Sequence, residues 1–344
     1  MMPRPRRYLL SDSSISHYHC VSRVVDRNFV FGVHERDVFR KILRQVEAFS
    51  GVRVLTWTVL SNHFHVLLEV ASPPPAPLSD AEILERCRAL YSREQAEVIA
   101  LEFDDARRSG GERLYRLRAR YLARMWDLSE FMKTLKQRFS SWFNRQHARV
   151  GTLWESRFKS VLVEGSWACL LKVAAYIDLN AVRAGLVEDP KDYRWSGYAE
   201  AVAGDRVARR GLALALADLK ADANWRDVAP RYRRILFGIG ESTGHPNGPQ
   251  ASRAGISQSS VAKVIREGGK LSLARLLRCR VRYMTDGFVI GSAEFVEAFF
   301  RSKRESFSAK RTTGARRMKG GDWEGLYAAR NLVVGAISPS SGDG

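Results

Sequence analysis

Residues 61–70 read SNHFHVLLEV. Ser61 and Asn62 form a turn signal, and the apolar, β-branched run after them predicts a strand from His63 to Val70. Side chains alternate along a strand, so His63 and His65 share one face while Phe64, Val66 and Leu68 pack from the other. The run Val52 to Leu60 predicts the preceding strand, which makes the turn a hairpin. Upstream, Val38, Phe39, Ile42, Leu43, Val46 and Phe49 form a helical stripe that begins near Glu35 and stops at Gly51. Residues 15–31, ISHYHCVSRVVDRNFVF, predict a first strand running into a loop.

Downstream of the hairpin, SPPPAP at 72–77 breaks the pattern. Residues 79–126 are rich in mixed charge and predict a helical hairpin, opened by Ser79 and Glu82 at capping-box spacing and divided by RSGGE at 108–112. These charges are read as a solvated face. A basic helix follows from Leu128, capped by Asp127, with Phe131, Leu135, Phe139 and Trp142 on one side and Lys133, Lys136, Arg138, Arg145 and Arg149 around the rest. Residues 157–164 alternate as a fourth strand, and 166–182 predict another helix with Ser166 at its N-cap. The order β-α-β-β-α-β-α predicts an α+β fold: a ferredoxin-like antiparallel sheet with packed helices, interrupted by a helical insertion over about 72–126.

Three regions are expected: 1–200 as the catalytic domain, 201–250 as an irregular linker, and 251–344 as a basic, mainly α-helical region and candidate DNA-binding element. In that last region, Leu271–Met284 predicts a helix and Thr285-Asp286-Gly287 a turn. Ser292 then caps a helix from Ala293 to about Lys303. A helix-turn-helix and a plain helical bundle both fit this pattern. The basic stretch 301–319 fits either a phosphate-binding arm or a disordered tail.

The 344 residues carry 56 Lys and Arg against 37 Asp and Glu, a formal net charge of +19. Such an excess suits a polyanion, because each neutralised phosphate releases a condensed counterion. Cys20, Cys87, Cys169 and Cys279 are widely spaced, which argues against a disulfide framework or a Cys-rich zinc site. No signal peptide or membrane-spanning run is evident, so a cytoplasmic location is expected.

Two imidazoles on a rigid strand make half of a metal site. Tyr176 and Asn180 lie four residues apart on the helix expected at 167–182, and hence on one face. If that face meets the histidines, the Asn180 amide oxygen can be a third ligand and Tyr176 a nucleophile. A phenol, with a pKa of about 10, ionises more readily than an alcohol. A divalent cation would polarise a phosphoryl oxygen and stabilise the leaving group. Taken alone, each signal is weak: an H-x-H pair also arises on exposed strands, and Tyr176 also suits a core rim.

Three stretches in order, SNHFHVLLEV (61–70), GTLWESRFKSVLVE (151–164) and AAYIDLNAVRAGLV (174–187), resemble the REP-associated tyrosine transposases within the single-tyrosine HUH transposase superfamily. The resemblance covers about residues 15–200 and is interrupted by the insertion. It implies His63, His65 and Asn180 as metal ligands, Tyr176 as the catalytic nucleophile, and Mg²⁺ or Mn²⁺ as the ion. Ala181 stands where the family has proline, and Arg23 occupies the arginine position of the opening segment. The implied activity is cleavage and rejoining of single-stranded DNA through a 5′-phosphotyrosine. The implied partner is single-stranded or hairpin DNA, met by a monomer or homodimer at a bacterial, nucleoid-associated location.

Candidate DNA contacts are Arg23, Lys133, Lys136, Arg138, Arg157 and Lys159. Phe139, Trp142 and Phe143 could stack on bases, although helical spacing favours core packing for two of them. His17-Tyr18-His19 is a rival H-x-H that lacks the following apolar run, with His19 kept as a residue near the DNA. A plain metallohydrolase would want carboxylates beside the histidines, where Val66-Leu67-Leu68 stands instead. A domesticated nucleic-acid-binding regulator without turnover is the alternative from another class.

Overall fold

The computed structural model describes residues 15–216, 224–237, 273–332 and 336–338. Strand β1 (Ile15–Arg23) leads through a short loop into α1 (Val33–Ser50), then β2 (Arg53–Val59) and β3 (His63–Ala71). Gly51 ends α1 in the left-handed region at φ 70°, which its missing Cβ permits. β1 and β2 both pair antiparallel with β3, and β4 (Lys159–Val163) pairs antiparallel with the free side of β1. The order β4-β1-β3-β2 is the ferredoxin-like sheet read from the sequence.

The insertion holds three helices rather than a hairpin: α2 (Asp80–Leu90), α3 (Arg93–Ser109) and α4 (Gly111–Leu122). Ser79 and Glu82 form the expected capping box, and Ser92 with Gln95 forms a second one that splits the first expected helix. Many of its charges pair at the surface, as in Arg93–Glu97 and Arg116–Glu112. The insertion is no appendage, however. Ile83, Leu84, Phe103 and Tyr121 join Phe39 and Leu43 of α1, and Phe131 and Phe139 of α5 (Leu128–Gln146), in one core. Phe64, Val66 and Leu68 close that core from the sheet, as their alternation requires.

The opposite sheet face is covered by α6 (Trp167–Asp178), the short α7 (Asn180–Arg183) and α8 (Gly197–Val202), α9 (Arg206–Ala215) and α10 (Trp225–Phe237). The expected irregular linker at 201–250 is therefore, in its described part, helical and packed. Leu212, Val228 and Tyr232 are buried with α6. Gly211 lets α9 rest on β2, since a Cβ there would strike the Val54 and Leu55 carbonyl oxygens. Residues 217–223 and 238–250 of that expectation lie outside the described residues.

The C-terminal region departs from its expectation too. The helix expected at 271–284 is described as a turn of helix at Leu273–Leu277, the strand β5 (Arg280–Val281) and a second short helix, Arg282–Asp286. In place of a helix-turn-helix, β6 (Val289–Gly291) follows and pairs parallel with β4. The helix Ala293–Ser302 forms as expected, with the Ser292 side chain accepting from Phe295 N. β7 (Arg316–Arg317) and β8 (Tyr327–Ala328) extend the sheet to seven strands in the order β2-β3-β1-β4-β6-β8-β7, while β9 (Ile337–Ser338) pairs with β5. Val289 and Phe299 enter one core and Ile290 and Tyr283 the other, so this region is continuous with the rest. All four cysteines are free and buried. Among the described residues, no helix is long and apolar enough to cross a membrane.

Candidate active site

The hairpin turns His63 and His65 towards α6, away from the aromatic core. Their ring centroids lie 5.1 Å apart. The His63 Nδ1 is 2.7 Å from the Asn62 Oδ1. Asn62 donates its amide to the Arg27 carbonyl, which fixes its oxygen as the acceptor towards His63. The His65 Nδ1 is 2.9 Å from His19 Nε2. Both Nδ1 atoms are thus engaged, and among the described residues neither Nε2 makes a hydrogen bond. Burial pushes His63 down to about 3 and His65 well below the usual histidine range, so both rings are neutral and retain a lone pair for a ligand.

Tyr176 comes from α6 of the same chain and is buried, with its ring edge-on to His65 at 6.3 Å and to His19 at 6.1 Å between centroids. The Arg183 guanidinium sits over the Tyr176 ring at 4.0 Å and donates to the Tyr176 and Leu277 carbonyls at 2.6 and 2.5 Å. The helix expected through residue 182 breaks at Leu179, so Tyr176 lies in the last turn of α6 and Asn180 opens α7. Asn180 bridges the break by donating its amide to the Tyr176 and Ile177 carbonyls, which leaves Oδ1 as its remaining side-chain donor of electrons. Ala181 falls in the first turn of α7, where a proline would also be accommodated.

Behind the tyrosine, the Asp178 carboxylate accepts from Thr56 Oγ1 of β2 at 2.8 Å, from the Tyr232 hydroxyl of α10 and from the Tyr198 amide. Burial raises this carboxyl to about 7 against the pull of those donors. The network ties the C-terminal end of α6 to the sheet.

His63, His65, Tyr176 and Asn180 line one cavity of about 300 Å³. Arg23, Arg27, Arg157, Lys159, Arg183 and Arg280 share its wall with Glu155 and Asp286. Three expected DNA contacts, Arg23, Arg157 and Lys159, therefore flank the histidines. Lys159 pairs with Asp286 at 3.0 Å. The other three lie on α5, across the sheet. Lys133 pairs with Glu130, and Arg138 donates to the Leu90 carbonyl at the insertion. Lys136 donates to the Ser156 carbonyl, in a loop that does reach the cavity. Phe139 and Phe143 are buried in the core, and Trp142 is half-buried against Phe139. Arg280, Thr285 and Asp286 were not singled out by sequence reasoning, because nothing local in the C-terminal region signals a return to the site.

The chemistry of the donor set fits a hard divalent cation. Two imidazole Nε2 atoms and one amide oxygen would form one side of its shell, leaving positions for phosphate oxygens. No cluster of three or more His, Cys, Asp or Glu with metal-binding geometry exists among the described residues, so Asn180 is essential to that set.

Fold and site together define an α+β protein that presents paired imidazoles and a phenol to a basic cavity. Residues 12–97 match the family model described as transposase, IS200-like, which covers the first strands and the histidine hairpin of this chain. The match holds both histidines and ends before Tyr176. The chain is also similar to a solved structure described as the REP-associated tyrosine transposase bound to a REP hairpin. That likeness covers 59% of this chain and 87% of the other, at 14% identity and a TM-score of 0.37. No curated protein matches.

Proposed function

We propose that this protein is a transposase that cuts and rejoins single-stranded DNA through Tyr176, most readily beside a short hairpin. The observation that carries the reading is the convergence of His63, His65, Tyr176 and Asn180 on one arginine-lined cavity. The Tyr176 oxygen attacks the phosphorus, a Tyr–O–P bond forms, the P–O3′ bond breaks, and the departing 3′ oxygen takes up a proton. The product is a 5′-phosphotyrosine and a free 3′-OH. Attack of a 3′-OH on that ester reverses the exchange and rejoins a strand without an external energy source.

A Mg²⁺ or Mn²⁺ ion bound to His63 Nε2, His65 Nε2 and Asn180 Oδ1 would polarise the phosphoryl oxygen and offset the charge of the leaving group. Arg183, stacked on the phenol ring and lining the cavity, holds the ring in place and adds positive charge beside the phosphate. Arg23, Arg157 and Lys159 hold the strand by its phosphates.

The test is a denaturing gel with an end-labelled oligonucleotide, with Mn²⁺ and with EDTA. A protein-linked band is expected only with the metal. Its persistence in Tyr176→Phe would rule out this nucleophile, and its persistence in EDTA would rule out the metal.

A further inference from the structure

His19 stands beside the site without lining the cavity. It lies on β1, on the face that also carries His17, and is 1% exposed. Its Nδ1 is 2.7 Å from the Met284 carbonyl oxygen, and its Nε2 is 2.9 Å from His65 Nδ1. Both ring nitrogens are engaged, so His19 is not itself a ligand candidate. A carbonyl oxygen can only accept, which means that His19 Nδ1 carries a proton and donates it. In a neutral ring, Nε2 then has the lone pair and accepts. The proton between the two rings therefore belongs to His65 Nδ1, and the His65 lone pair is left on Nε2.

We infer that His19 is a positioning residue that sets the tautomer of His65, and that the C-terminal region supplies the carbonyl, at Met284, from which that setting starts. The inference rests on the metal-assisted reading above and adds to it how one ligand is held ready. Both rings are buried from water, which disfavours a charged imidazolium at either. His63 obtains the same tautomer separately, from Asn62. The two ligands are thus oriented by different parts of the chain. Asn62 lies beside His63 in sequence, whereas Met284 arrives from far downstream, beyond the stretch matched to the family. A partner that fixes the second nitrogen of a ligating histidine typically changes metal affinity by about 10–100-fold.

The experiment uses the full chain. Long-range ¹⁵N–¹H correlation spectra of metal-free protein labelled at histidine report which nitrogen carries each proton. Protonated Nδ1 and bare Nε2 are expected for both His19 and His65. Mn²⁺ affinity is then measured by calorimetry for the wild type, His19→Phe and His19→Gln, each checked for folding by circular dichroism. His19→Phe leaves His65 Nδ1 without an acceptor, and the expected result is a mixed His65 tautomer with Mn²⁺ binding weakened about 10–100-fold. His19→Gln, whose amide oxygen can accept, should regain part of the affinity. A bare Nδ1 on His65 in the wild type would overturn the inference. So would a folded His19→Phe that binds Mn²⁺ as the wild type does, with the metal-assisted reading left standing. A wild type that binds no Mn²⁺ overturns both.

Discussion

The two faces of the sheet are built on different principles. Under α1, α5 and the insertion, the face carries aromatic and aliphatic side chains, with Phe31 stacked on Phe139 at 4.9 Å and Phe39 at 4.7 Å from Phe64. Under α6 and α7, the same strands bury His19, His65, Thr56 and Thr58, and the covering helices bury Asp178, Asn180 and Arg183. The first face gains stability from apolar area removed from water. The second is costly unless each polar group is satisfied, and its hydrogen bonds place the phenol and the imidazoles. Because the faces alternate along one strand, residues 64 and 65 serve opposite purposes while sharing a backbone.

That contrast can be broken by substitution. The largest expected effect is on chemistry: Tyr176→Phe should lower covalent adduct formation by on the order of 10⁴-fold or more. Its urea midpoint should stay close to that of the wild type, as judged by fluorescence. The opposite outcome is expected across the sheet. Phe139→Ala should cost about 3–5 kcal/mol in unfolding free energy, while adduct yield per folded molecule stays near the wild-type value. A Phe139→Ala protein that is stable but inactive would show that the faces are not separable in this way.

Asp178→Asn tests the boundary between the two principles. It replaces an acceptor of three hydrogen bonds with a group that must present a donor to some of them, and a loss of about 1–3 kcal/mol is expected, read by thermal unfolding, with the adduct still formed. The smallest effect is expected at Arg93→Ala. Its ion pair with Glu97 is exposed on the insertion, and no resolvable change in Tm or DNA cleavage should follow.

The legibility of the sequence follows the same division. Strands β1 to β4, helices α1 and α5, and the shared face of His63 and His65 were readable, because long alternating or 3.6-residue patterns mark them. The approach of Tyr176 to the histidines followed from helical spacing and the family resemblance, although the break at Leu179 left no local signal. His19 was visible only as a rival ligand, since a hydrogen bond to a ring on the neighbouring strand depends on register. The seven-strand sheet was hidden for a simpler reason. β6, β7 and β8 are two or three residues long, too short for alternation to appear. Packing of α9 and α10 was missed because the stretch containing them reads as irregular.

The parallel pairing of β6 with β4 has a bearing on how the chain comes off the ribosome. Until residues 289–291 emerge, β4 would be a bare edge with unpaired amides and carbonyls. A truncation that stops short of β6 would therefore do more than remove a peripheral piece: it would leave a sticky border open to pairing with other chains. Completion of the sheet that carries the histidines thus depends on a strand translated more than a hundred residues after β4.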